Sequence, residues 1–168
     1  GVQTCALPIC STMGKFSGKW YWEITPVSGS YDLADVGPSS VSISTDTMLN
    51  AAVYGYLEYN GNKVNNNWTG TGYGASFTTG DVIGVSLDMD NGAVGFYKNN
   101  AFQGIAYTGL TGTIYPIHAC GSSGATTANF GQLPLKYTPP NGTFWDTTHA
   151  VSVTASNNNM YVTGSRSE

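Results

Sequence analysis

The chain has 168 residues, enough for one domain that removes roughly 70% of its unfolded surface from water. Charged residues make up 10% and the formal net charge is −4, against about 25% charged residues in an ordinary globular protein, so Asn, Ser, Thr and Tyr carry the polar surface. Without a Lys/Arg cluster there is no electrostatic footprint for nucleic acid, and no run approaches the ~20 apolar residues of a membrane helix; neither partner is expected.

In chain order, the first segment reads as foreign. The string Cys5-Ala6-Leu7-Pro8-Ile9-Cys10 is too short for a signal peptide and lacks its basic lead. GVQTCALPI is similar to the translation of a short-read sequencing adapter, and Arg166-Ser167-Glu168 to the opposite adapter end. On this reading residues 1–10 and 166–168 are not native, which leaves Cys120 as the single cysteine and no arginine for bidentate carboxylate or phosphate capture. Cys120, in an apolar stretch, reads as a small buried hydrophobe.

The body from 11 to 142 reads as short strands bounded by Gly, Asn, Pro or Ser, with no convincing helical period. Strands are predicted over Trp20 to Pro26, Val41 to Ser44, Ala52 to Tyr56, Asp81 to Met89, Ala93 to Asn99, Tyr115 to Cys120 and Thr126 to Phe130. In the first, Trp20, Trp22 and Ile24 share the predicted core face, and Tyr21, Glu23 and Thr25 share the other. Between Tyr54 and Tyr73 the pattern loosens into rings among asparagines and glycines, the composition of adaptable binding loops; the bland alternative is that the rings cap one end of a sandwich. Ile83, Val85 and Leu87 then alternate with small or polar residues, Asn91-Gly92 supplies a turn that tolerates positive φ, and Val94 and Phe96 resume the alternation, which predicts a hairpin with one buried face. Residues 143–165 read as two more strands with a turn at Asn157 to Asn159, either an edge hairpin or the start of a next repeat.

The hairpin GDVIGVSLDMDNGAVGFYKN, the opening run Gly18-Lys19-Trp20-Tyr21-Trp22-Glu23-Ile24, and Gly109-Leu110-Thr111-Gly112, Tyr115-Pro116, Asn129-Phe130-Gly131-Gln132 and Pro139-Pro140 follow one another as in the SPRY family, which the chain resembles over about Gly14 to Gly142. The Asn/Gly/Tyr-rich middle is most similar to copies in bacteriophage and environmental viral proteins. The resemblance implies an all-β fold, a bent antiparallel β-sandwich of concanavalin A-like jelly-roll type, and a protein-interaction module without catalysis or cofactor. The viral type implies a virion structural or tail-associated protein at a particle or extracellular surface, with several modules in a longer chain. The rings proposed to touch a ligand are Tyr31, Tyr54, Tyr56, Tyr59, Trp68 and Tyr73, because a chain poor in charge is left with Tyr and Trp anchors. The partner is a protein or a host-surface glycan.

Rival chemistries are weaker. A lectin-like module would stack the same rings on sugars. A glycoside hydrolase would need two carboxylates, and Asp88, Asp90 and Glu23 are the candidates, but the aspartates flank a turn where such side chains accept backbone N–H bonds. The Asp-x-Asp-Asn-Gly string places its Gly at the fifth position of a calcium loop instead of the sixth and lacks the closing Glu, so no metal is expected. His118 and His149 have no Ser or Cys partner in a recognised motif, and Asn67-Trp68-Thr69 and Asn141-Gly142-Thr143 match glycosylation sequons that matter only on a eukaryotic secretory route.

Overall fold

The computed structural model describes residues 2–5, 9–10, 13–29, 32–38, 51–67, 69–119, 124–131, 133–140, 151–156 and 159–164. The expected strand over Val41 to Ser44, and Tyr31, Trp68, Cys120 and His149, lie outside these residues.

Two six-stranded antiparallel sheets face each other. Sheet A runs β1 (Val2–Cys5), β12 (Gly124–Asn129), β3 (Lys19–Ser28), β8 (Ile83–Asp88), β9 (Ala93–Lys98), β10 (Ala101–Thr108). Sheet B runs β2 (Ile9–Cys10), β11 (Tyr115–Ala119), β4 (Leu33–Gly37), β5 (Tyr54–Leu57), β6 (Asn62–Val64), β7 (Thr71–Gly72). A separate hairpin pairs β13 (Val151–Ser156) with β14 (Asn159–Gly164), inside the stretch read as two strands over residues 143–165. β1 and β2, in the segment read as adapter, lie along one outer edge of each sheet.

Side chains of alternate parity from both sheets interleave to make the core. Trp22 and Ile24 of β3, Ile83, Val85 and Leu87 of β8, and Val94 and Phe96 of β9 meet Ala34 and Val36 of β4 and Tyr56 of β5. The pleat sends residues two apart to the same face, so the hydrophobic alternation of β8 and β9 fixes their register, and Val85 stands opposite Phe96 and Leu87 opposite Val94. Trp22 packs near Phe130, with ring centroids 6.3 Å apart.

Two expectations need correction. The other face of β3 is not open: Tyr21 and Glu23 are buried too. The turn after β8 is not a tight two-residue one, since the last pair, Asp88 and Ala93, encloses Met89 to Gly92, and Gly92 alone there has positive φ, +60°. The two-residue turn falls one hairpin later, at Asn99-Asn100 between Lys98 and Ala101, where φ is +47° and +69°. Two successive left-handed residues match the right-handed twist of the flanking strands, and asparagine is the side chain after glycine that tolerates them.

Candidate functional site

Of the six rings singled out by sequence, four are described, and three of these seal the sandwich. Tyr56 has no exposed surface. Its ring lies 5.0 Å from Phe77, 5.3 Å from Phe96 and 5.3 Å from Tyr73, and its hydroxyl donates to the Ala75 carbonyl. Tyr73 donates to the Gly104 carbonyl at 2.5 Å and accepts the Phe96 N–H at 3.1 Å. Half-buried Tyr54 tilts against Tyr107 at 5.1 Å. Burial penalises the phenolate, so it holds the hydroxyls of Tyr56 and Tyr107 far above the ordinary value and pushes Tyr73 up to about 12. The expected ligand contact is therefore corrected at Tyr56, which has nothing to present to a partner, while Tyr54 and Tyr73 close the seam between β10 and the β5–β7 side of sheet B.

Tyr59 is different. It stands 51% exposed on the turn between β5 and β6. That turn is fixed by the Gly61 N–H donated to Leu57 O at 3.0 Å and by Asn60 Oδ1 accepting the Asn62 N–H at 2.9 Å. A rigid turn holding out an amphipathic ring is a low-entropy anchor for a protein surface.

The carboxylates weighed as catalytic are committed to the frame. Asp88 accepts the Asn91 N–H at 3.1 Å and its side-chain amide at 2.8 Å and pairs with Lys19 at 2.8 Å, and these contacts outweigh desolvation to hold its carboxyl below the usual range. Asp90 accepts the Gly18 N–H at 2.7 Å. Glu23 takes two consecutive N–H groups, from Lys136 and Tyr137, both at 2.8 Å. Two adjacent amides turned to one carboxylate make an anion nest, and this one ties the segment 133–140 across the outer face of sheet A. Asn129 fixes the start of that segment, accepting the N–H groups of Gly131 at 3.0 Å and Leu133 at 3.4 Å. Between strap and sheet lies a cleft of about 380 Å³ lined by Glu23, Thr25, Asn129, Leu133, Pro134 and Lys136 among others. The sequence signal for this strap was the Pro-punctuated apolar run after β12, which gives no hint of what it would cover.

Missed too was an apolar ledge on β10, where Phe102 is 50% and Ile105 54% exposed. Phe102 stacks on Tyr97 of β9 at 4.8 Å, and Tyr97 meets Tyr21 edge-on at 6.0 Å.

Residues 19–133 match the family model described as SPRY domain. The chain is 32% identical over 124 residues to Ran-binding protein 9 of Danio rerio and 33% identical over 124 residues to that of Homo sapiens, covering 71% of this chain in each case but 21% and 17% of those proteins. It is 39% identical over 85 residues to the Ran-binding proteins 9/10 homolog of Drosophila melanogaster, covering 50% of this chain and 9% of that protein. The chain thus spans about a fifth or less of the length of these relatives. In three dimensions it is similar to the crystal structure of the SPRY domain of human HERC1, with a TM-score of 0.62 at 22% identity, over 71% of this chain and 79% of that one.

Proposed function

The chain belongs to the SPRY domain family, a family of protein-interaction modules, and we propose that it serves as a non-catalytic recognition module of a virion structural or tail-associated protein. The observation that carries the recognition reading is the division of its rings. Tyr54, Tyr56 and Tyr73 are spent on closing the sandwich, whereas Tyr59 is held out on a fixed turn. Contact through Tyr59, joined by Tyr31 and Trp68, suits a surface with few charges, because aromatic anchors deliver binding energy without ion pairs. The viral context draws on the Asn/Gly/Tyr-rich, charge-poor composition, which resembles the phage-type copies.

Two experiments test this. In an unbroken assembly the complete gene is expected to encode tail, fibre or capsid modules beside this domain, and a cellular multidomain frame in their place would refute the viral context. Surface plasmon resonance against purified host-envelope proteins is expected to give saturable binding that Tyr59→Ala weakens at least tenfold. Saturable binding to a glycan array, lost in Trp68→Ala, would transfer the function to sugar recognition.

A further inference from the structure

The outer face of sheet A is built alike across its width, but only part of it is covered. On the β3 side the rings lie over a residue without a side chain: a Cβ at Gly84 would come 2.3 Å from the Tyr21 hydroxyl. On the β9–β10 side a Cβ at Gly95 would come 2.9 Å from the Phe102 ring. Tyr21, Tyr97 and Phe102 therefore form one continuous row of rings above glycines, with Ile105 opposite Gly95 at its far end. The β3 end of the row lies under the chain's own strap, whose sequence is Leu133-Pro134-Leu135-Lys136-Tyr137-Thr138-Pro139-Pro140. The β10 end is exposed.

We propose that this exposed end, centred on Phe102 and Ile105, is a docking surface for an extended Leu/Pro-rich segment of a partner protein, laid on the row of rings as the chain's own strap is laid on its other end. The inference rests on reading the chain as an interaction module, and places a second contact surface on it. Three observations select the occupant. The surface is continuous with one that already holds a segment of this chemistry. The neighbouring Lys98 is engaged within the chain, lying 3.4 Å from Asp81 and donating to Ser76 O at 2.6 Å, so apolar and ring contacts carry the recognition there. Two carbonyls along β10 are already taken within the chain, Gly104 O by Tyr73 at 2.5 Å and Ala106 O by the Lys63 ammonium at 2.7 Å. A segment with many N–H groups would leave donors unpaired on such a surface, whereas proline has none to lose. Ring faces are also what Pro-rich segments dock against.

The test uses the strap's own sequence, residues 133–140, as a free peptide titrated into the isotopically labelled chain. We expect saturable chemical-shift changes centred on Tyr97, Phe102 and Ile105, and at least tenfold weaker binding in Phe102→Ala and in Ile105→Asp, both of which keep the parent melting temperature. Tyr59→Ala should leave this titration unchanged, so this proposal and the recognition reading above fail separately. Absence of saturable shifts, or binding indifferent to both β10 variants, overturns the proposal. So does a parent chain that is dimeric and becomes monomeric in Ile105→Asp, which would make a second copy the occupant, or saturation of the same residues by neutral oligosaccharides.

Discussion

Glu23 is buried because two backbone N–H groups replace the water it gives up, and that exchange holds the strap to β3. Hydrogen bonds to a charged acceptor contribute about 1.5–3 kcal/mol each, and removing the acceptor orphans both donors. Glu23→Ala should therefore cost about 2–4 kcal/mol in urea unfolding, and amide exchange at Lys136 and Tyr137 should accelerate more than exchange in β8. A loss below about 0.5 kcal/mol, the range of an ordinary surface change, would contradict the anchoring role. His118 gives a second residue-scale prediction. Burial lowers its pKa from 6.5 to about 4, a bond to the backbone of Leu33 offsetting part of the effect. Since the unfolded chain takes up that proton near 6.5 and the folded one only near 4, stability should be full above 6.5, decline as pH falls towards 4 and level off below. Chemical denaturation across that window should show the slope, and His118→Met should flatten it. The same slope in both proteins would place its origin elsewhere.

At the scale of elements, the strands legible in the sequence are those rich in aromatic and β-branched residues and bounded by turn residues. β3, β8, β9, β11 and β12 all fall within the predicted stretches, give or take a few terminal residues, although β3 and β11 are buried on both faces. β4 went unread because Leu33 to Gly37 is buried on both faces and includes Asp35, so no alternation survives. β10 went unread because its pairing slips between Phe102 and Ile105 and again between Ile105 and Tyr107, with Gly104 at φ +104°. Those slips break the period of two and turn Phe102 and Ile105 outward. The tyrosines of the loose middle were legible as rings but not as buried rings: Tyr73 is placed by a carbonyl on β10, a strand the sequence did not announce. Two substitutions follow. Tyr73→Phe keeps the ring but orphans Gly104 O and the Phe96 N–H, and should cost about 1–3 kcal/mol without changing the sheet content seen by circular dichroism. Gly84→Val sets side-chain atoms where the Tyr21 ring now lies and should cost about 1–3 kcal/mol as overpacking. An unchanged unfolding midpoint in either would show that the seam or the ring row gives way more easily than the geometry implies.

Taken as a whole, the molecule separates rings that make the frame from rings that face outward. Core aromatics of both sheets interlock around Tyr56, while Tyr59, only three residues on, and Phe102 are left on the surface. A rigid β scaffold with recognition concentrated on a few exposed side chains is what allows one architecture to serve many partners. The most direct measurement is the pair Tyr56→Ala and Tyr59→Ala in equilibrium urea unfolding. Tyr56→Ala should cost about 3–5 kcal/mol, as deleting a buried aromatic does, and Tyr59→Ala should change stability by no more than about 0.5 kcal/mol, as for a surface position. Comparable losses in the two variants would contradict the division of frame from contact surface.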